Sequence, residues 1–402
     1  MTGRTDYEHC ARPRVARFSL QGMEGLMERL GHPERSFFVL HVAGSKGKGT
    51  LCHLLERGLR ASGRRTGLYT SPHLQDWRER ILVNGVEQED EALADAIAEV
   101  LAASRGEETF FDLMTATAFV TMRTARVEVG VIEVGLGGRA DSTNVVQSAA
   151  AAVTSLELEH CEVLGATIEA IAGEKAGIFK AGSALWCGDG IPPAGQRVLE
   201  ARAESLGAPL HRVPENAAAV PPGLRAHPLA HVQRLGALAW AMLNALPQPF
   251  ARGAASLHRL SPRELQVPGR WEMRRLRDGR TVILDLAHTA NSLRPLLAAF
   301  RATYPDVSRG VVLALREDKD PAVLAEALGP PPAGERWWTC PAGDHPRSAD
   351  PLRLARAFGA TPLAAPAFPS GPSVLLVTGS TYLVGALRSE TLPVAETEPA
   401  RA

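Results

Sequence analysis

The stretch Phe37-Phe38-Val39-Leu40-His41-Val42-Ala43-Gly44-Ser45-Lys46-Gly47-Lys48-Gly49-Thr50 decides how the rest of the chain is read. The apolar run from Phe37 to Val42 predicts a buried parallel strand. It breaks into glycines at Gly44, Gly47 and Gly49, then opens a helical pattern through Leu51, Leu54, Leu55 and Leu59. Strand, glycine loop and helix form a cradle for phosphate. Glycines let backbone N–H groups approach the oxygens, the helix N-terminus adds partial positive charge, and a lysine neutralises the phosphates. Lys48 fits that lysine, and Thr50 can offer a hydroxyl to Mg²⁺. The general pattern wants a first glycine where Val42 stands and Ser or Thr where Gly49 stands. A glycine-rich turn without a ligand therefore stays open beside the phosphate loop.

Composition narrows the classes. With 402 residues and 45% hydrophobic content, the chain can build two or three domains, each with its own core. Lys plus Arg equals Asp plus Glu at 44 each, so no bulk field favours nucleic acid or an anionic membrane. Basic patches interleaved with aromatics are also missing. No run of about 18 apolar residues predicts a membrane helix, and the polar segment from Met1 to Arg17 lacks a signal-peptide core. Cys10, Cys52, Cys161, Cys187 and Cys340 are dispersed without metal-ligand spacing, which predicts reduced thiols in a cytoplasm.

Outward from the loop, helical and apolar strand segments alternate. A helix over 18–35 precedes the first strand, and Arg64–Tyr69, Val127–Val134 and Ala150–Leu156 predict further strands, with a strand and Asn84-Gly85 turn between them. Helices are predicted over 88–104, 110–125, 166–175 and 230–245, and strands near 183–187 and 209–213. This is a doubly wound α/β pattern, in which ligands sit at the carboxyl ends of strands. A boundary falls near Ser261–Pro268. Beyond it a second α/β pattern runs through strands Thr281–Leu286, Gly310–Leu315, Trp337–Thr339 and Ser373–Thr378, with helices 291–301, 321–328 and 349–357. The fold class is thus α/β: an N-terminal P-loop mononucleotide-binding domain with a mostly parallel sheet (1–265), and a smaller Rossmann-like α/β domain (266–390). A disordered tail is predicted over 391–402.

Several polar residues fall at strand ends. Glu133 closes the third strand beside Gly135, Gly137 and Gly138, and reads as a metal ligand or as a helix-capping acid. His160 follows the fourth strand, where a lone histidine is more often a satisfied structural group. Lys175 sits at a helix end, the usual place of a solvated charge. Asp285 and His288 end a strand three residues apart, which suits a nucleotide or reaction-centre contact but also plain turn capping. Arg316 to Asp320 reads as a solvated loop.

Taken together, these motifs resemble the folylpolyglutamate synthase and dihydrofolate synthase family, within the Mur-type ATP-dependent amino-acid ligases. The resemblance spans residues 17 to 388. It is carried by His41 to Thr50, Tyr69-Thr-Ser-Pro-His-Leu74, Glu79-Arg80-Ile81, Asn84-Gly85, Thr109-Phe-Phe111, Glu133-Val-Gly-Leu-Gly-Gly-Arg139, Asp141 and Thr143-Asn-Val145. Further on come Glu162-Val-Leu-Gly165, Glu174-Lys-Ala-Gly-Ile178, Pro268-Gly-Arg270, Asp285-Leu-Ala-His288, Asp318-Lys-Asp320 and Thr378 to Gly385. Each piece alone is weak, whereas the ordered set is specific.

The resemblance implies that ATP, bound between two domains, phosphorylates a carboxylate of dihydropteroate or of a reduced folate, and that L-glutamate then attacks the acyl phosphate. It implies ATP-binding residues Gly44, Ser45, Lys46, Gly47, Lys48, Gly49, Thr50, Arg270 and Asp285, and two Mg²⁺ ions on Thr50, Ser71, Glu133 and His160. Catalytic roles fall to Lys48, Lys175 and His288, and pterin contacts to Pro72, His73 and Phe111. Lys175 matches the lysine that becomes carbamylated in this family, which reverses its reading as a solvated charge. A cytoplasmic monomer acting on small molecules, with no nucleic-acid or membrane partner, is expected.

Three departures stand out: Glu159 where the family has Asp, Leu286 where it has Gly, and no adenine-contacting Asn around His231 to Ala237. Glu159 keeps the charge; the changes at 231–237 and 286 keep open a diverged ligase acting on another carboxylate, while the retained Lys48, Glu133, His160 and Lys175 speak against the remaining alternative of a non-catalytic nucleotide-binding paralogue. A P-loop nucleotide kinase accounts less well for the second α/β pattern.

Overall fold

The computed structural model describes residues 19–343 and 346–394. The chain divides into two compact units. The first holds the chain up to His73 and Trp77–Leu265; the second holds Leu74–Asp76 and the chain from Gln266 onward. Among the described residues, no helix is long and apolar enough to cross a membrane.

The first unit is built on eight strands: β1 Phe38–Ala43, β2 Thr66–Tyr69, β3 Ile81–Val83, β4 Val86–Glu87, β5 Val129–Glu133, β6 Ala150–Ser155, β7 Ala184–Gly190 and β8 Leu210–Arg212. Their order is β4-β3-β2-β5-β1-β6-β7-β8, parallel from β2 to β8 and antiparallel at β3 and β4. The central strands are apolar on both faces, as a parallel sheet covered by helices requires. Asn84 and Gly85 both take positive φ, 53° and 75°, and close the β3–β4 hairpin as their dipeptide predicts.

Strand register brings the loops together. Val42 pairs with Glu133, Ala43 with Val153, and Tyr69 with Ile132. The carboxyl ends of β2, β5, β1 and β6 therefore form one edge. Val39, Tyr69 and Ile132 pack with Met23, Leu113 and Phe119 in one apolar cluster. Val153 and Leu185 pack with Ile171 and Leu199 in another. Each such fully buried side chain contributes about 1.5–3 kcal/mol.

The second unit carries β9 Glu272–Arg275, β10 Thr281–Leu284, β11 Arg309–Leu313, β12 Arg336–Thr339, β13 Thr361–Pro362, β14 Val374–Thr378 and β15 Leu392–Pro393. Their order is β13-β12-β11-β14-β10-β9-β15. The parallel core from β13 to β10 is flanked by the antiparallel β9 and β15. The expectation of a disordered tail over 391–402 is corrected at its start. Leu392 and Pro393 pair with Arg275 and Arg274, and Arg274 Nη2 donates to Thr391 O at 3.0 Å. Residues 395–402 lie outside the described residues. The Thr378–Gly385 motif is the end of β14 and the start of helix Thr381–Arg388, with Ser380 Oγ accepting from Tyr382 N. Helices Pro193–Ser205 and Arg252–Leu257 add to those expected.

Helix Lys48–Ala61 is wedged against helix Arg252–Leu257. A Cβ on Gly58 would lie 2.7 Å from Leu243 Cδ1 and 2.9 Å from Gly253 O. In a free helix Gly→Ala stabilises by about 1 kcal/mol. Here Gly58→Ala is expected to lower the unfolding temperature by a few degrees, because the overpacking penalty of about 1–3 kcal/mol outweighs the helix term. Thermal unfolding of the variant checks this; an increase would show that the helices can move apart.

Candidate active site

The loop from Gly44 to Gly47 lies flush on the end of β6. Ser45 N donates to Ser155 O at 2.9 Å and Lys46 N to Ser155 Oγ at 2.8 Å. Thr154 Oγ1 donates to Lys46 O at 2.6 Å, and Glu157 N to Ser45 Oγ at 3.0 Å. A Cβ on Gly44 would stand 1.9 Å from Thr154 Oγ1, so only glycine fits. Gly47, at φ 84°, turns the chain into helix Lys48–Ala61. Lys48 Nζ donates to Gly44 O at 2.9 Å, which holds the ammonium over the loop.

Glu133 arrives beside this loop from the neighbouring strand. A Cβ on Gly49 would be 3.4 Å from Glu133 Oε2, and Ser71 N donates to the same oxygen at 3.1 Å. Glu133 is 4% exposed and Thr50 3%. A buried carboxylate beside Gly49 and Ser71, with the Thr50 hydroxyl next in the chain, supplies hard oxygen of the kind Mg²⁺ takes. Among the described residues, no group of three His, Cys, Asp or Glu forms a ready metal cluster. The buried Glu133 carboxylate beside Ser71 suits a hydrated cation held by few protein ligands.

A second knot gathers at residues 157–160. Glu159 lies 3.4 Å from Lys175 Nζ and 3.7 Å from Lys46 Nζ. Burial disfavours its anion, but Lys48, Lys175, Lys46 and His160 together bring its carboxyl below the usual range. Burial, mainly, with help from Lys48, brings Lys175 down from 10.5 to about 8, against the pull of Glu159. Burial also lowers His160, despite Glu159 and Glu162, which favours the neutral imidazole that metals bind. Lys48 acts on both His160 and Lys175, and also on Cys52, whose thiol is pushed up by burial and then by Glu133. Glu159 was not among the expected site residues. Its signal was an acid just after an apolar strand and just before His160.

The reading of Lys175 as a solvated charge is wrong on geometry: the residue is 2% exposed. Its backbone is fixed by Gly138, where a Cβ would meet Glu174 O at 2.7 Å and Lys175 O at 3.0 Å. Asn144 Nδ2 donates to Arg139 O at 2.9 Å and Gly177 O at 3.2 Å, tying the glycine loop to the end of the Lys175 helix. His41 serves structure. It is fully buried, Nε2 lies 2.9 Å from Thr143 Oγ1, and burial, aided by Lys180, brings its pKa down to about 3.

Of the expected pterin contacts, Phe111 packs closely on Gly135, where a Cβ would sit 2.4 Å from Phe111 Cζ. His73 Nδ1 accepts from Arg80 Nε at 2.9 Å, and Arg80 is 1% exposed. Pro72 is exposed at the turn after β2. The helix residue that meets the phosphate loop is Leu235, whose Cδ1 lies 2.9 Å from where a Gly47 Cβ would be. An apolar side chain therefore occupies the place where the absent adenine-contacting Asn was sought.

In the second unit, Asp285 works as a turn-capping acid. Oδ2 accepts from Trp271 N at 2.8 Å and Oδ1 from Ala287 N at 2.9 Å. His288 Nδ1 lies 2.9 Å from Leu286 O, which fixes the ring. Arg270 is half-buried in the turn after Val267. Leu286 packs on Gly269, its Cγ 3.0 Å from a Cβ built there, within the apolar cluster of this unit.

Lys175 yields a pH test. Its folded-state pKa of about 8 lies below the ordinary 10.5, so the unfolded chain holds the extra proton between those values. Stability from this group therefore rises as pH increases through that window. In metal-free buffer, Lys175→Met is expected to be more stable than wild type at pH 7 by about 1–3 kcal/mol. The gain shrinks as pH rises toward 10.5, and denaturant unfolding at both ends of the range checks it.

Residues 42–184 match the Mur ligase middle domain, and residues 269–375 match the Mur ligase glutamate ligase domain. The dihydrofolate synthase/folylpolyglutamate synthase of Escherichia coli (strain K12) is 33% identical over 347 residues, 82% of this chain and 79% of the relative. The folylpolyglutamate synthase of Lacticaseibacillus casei is 30% identical over 342 residues, 75% of this chain and 77% of the relative. E. coli FolC in complex with DHPP and ADP superposes with a TM-score of 0.78 at 27% identity, covering 95% of both chains. The Yersinia pestis bifunctional enzyme complexed with AMPPNP and Mn ion gives 0.78 at 28% identity, again covering 95% of both chains. With its phosphate loop, its buried acid and its buried lysine on one sheet edge, the chain belongs to the dihydrofolate synthase/folylpolyglutamate synthase family of Mur-type ligases.

Proposed function

We propose that this chain is an ATP-dependent ligase that joins L-glutamate to dihydropteroate, to a reduced folate, or to both. The observation that supports it best is the convergence of Lys48, Glu133 and Lys175, from three separate segments, at the carboxyl edge of one sheet. A free carboxylate is a poor electrophile. In the first step its oxygen attacks the γ-phosphorus of ATP and the bond to ADP breaks, giving an acyl phosphate. In the second, the glutamate amine attacks the acyl carbon, phosphate departs with the electron pair, and the amine loses a proton.

The chain's contribution is positioning and charge. Backbone N–H groups at Gly44–Gly49 and the helix N-terminus cradle the phosphates, and Lys48 neutralises them. Thr50, Ser71, Glu133 and His160 would hold Mg²⁺, as two ions; when bound, the metal neutralises charge that develops on the phosphates. Lys175 is buried and partly neutral near pH 8, the state in which an amine can take up CO₂, so its carbamate belongs to this reading. Phe111, Pro72 and His73 are proposed for the pterin, and Arg270, Asp285 and His288 for the nucleotide and reaction centre. The enzyme is read as a cytoplasmic monomer acting on small molecules. Among the neighbours, one bifunctional synthase holds Mn, AMPPNP and L-glutamate, with a TM-score of 0.77 at 27% identity.

Phosphate release should require MgATP, L-glutamate and one pterin substrate together, with dihydropteroate and tetrahydrofolate tested singly. Glu133→Gln is expected to reduce the rate at least about a hundredfold. Release without either pterin would instead indicate a different carboxylate substrate.

A further inference from the structure

The strands that carry the candidate site at their carboxyl ends share a second feature at their amino ends. There, just ahead of β2 and β5, Arg65, Arg123, Arg126 and Glu128 line a hollow of about 600 Å³ together with Pro249 and Phe250. On its apolar side, Phe250 stacks on Phe38 of β1 with ring centroids 4.6 Å apart.

The charges around it do not cancel. Arg123 is matched: Nη2 reaches both oxygens of Glu99 at 2.7 and 2.8 Å, and Nη1 donates to Leu30 O at 3.1 Å. Glu128 is also matched, by Arg64 Nη1 at 3.1 Å and the Arg65 backbone N at 2.8 Å. Arg65 commits only Nε, to Arg126 O at 2.8 Å. Among the described residues, no carboxylate pairs with the guanidinium of Arg65 or of Arg126. Arg64 Nε is buried with no hydrogen-bond partner. Arg126 is held at φ 52°, a conformation that non-glycine residues seldom adopt. With Arg64 beside them, Arg65, Arg123 and Arg126 set against Glu99 and Glu128 leave a surplus of two positive charges around the hollow, in a chain whose net charge is +0.

We propose that this hollow is an anion site for a small dianion, a phosphate or a dicarboxylate. Its charged end would rest on Arg65 and Arg126, and any apolar body on Phe250 and Pro249. Planar guanidinium forks match both oxyanions in bidentate fashion. The site is separate from the phosphate loop, since the six residues of β1 at about 3.3 Å each put roughly 20 Å between them. A bound dianion would tie together the segments entering β2 and β5, whose far ends lead to Ser71 and Glu133.

The test is calorimetric titration of the full chain, saturated with MgADP, using inorganic phosphate and succinate in separate runs. At least one should bind with a stoichiometry of one. The double variant Arg65→Gln/Arg126→Gln should weaken that binding at least about tenfold, with the unfolding temperature in anion-free buffer unchanged. Arg126→Gln alone removes a guanidinium that bonds to nothing in the described chain, so it keeps the fold and should weaken binding as well. Failure of both anions to bind, or equal binding by the double variant, would overturn the proposal.

Discussion

The seating of residues 44–47 on the end of β6 is the contact on which the candidate site depends. Four hydrogen bonds from Ser45, Lys46, Thr154 and Glu157 pin the loop. Gly44 has no room for a side chain there. Helix Lys48–Ala61 therefore starts from a fixed origin. Because β5 and β6 both pair with β1 in parallel register, Glu133 and residues 157–160 are delivered to the same edge.

Charge organises that edge in two knots, and Lys48 acts on Glu159, His160 and Lys175 of the second. In one, Glu133 lies against Gly49 and Ser71; in the other, Glu159 draws in Lys46 and Lys175. Neither knot is a simple surface ion pair. Glu133 and Lys175 are both nearly inaccessible to solvent, where an unmatched charge is costly and its protonation is easily shifted. Lys175, buried and lowered to about 8 beside Glu159, is the kind of perturbed group that candidate sites for chemistry gather.

Much of this was legible in the sequence because it depended on local rules. The β-branched run at Val129–Glu133, the glycines of the phosphate loop and the Asn84-Gly85 turn each dictate their own conformation. What escaped depended on partners distant in sequence. Lys175 at a helix end looks solvated until Gly138 and the 157–160 segment close over it. Glu159 gains its partners only once Lys46 and Lys175 are placed beside it, and Leu286 finds its packing on Gly269. The short antiparallel strands β9 and β15 rest on pairing that no local pattern announces, and the polar Pro193–Ser205 helix has few buried positions to declare its period. The family was legible only from the ordered set of motifs, by resemblance. Taken singly, the phosphate loop, Glu133 and Lys175 each kept a bland alternative.

A ligase of this kind activates a substrate carboxylate by phosphorylation. The most direct measurement labels that carboxylate with a heavy oxygen isotope and follows the label by mass spectrometry of the released phosphate. An acyl-phosphate route predicts one labelled oxygen in each phosphate formed. Phosphate that carries only solvent or ATP oxygen, with the label retained in the pterin product, would contradict the account.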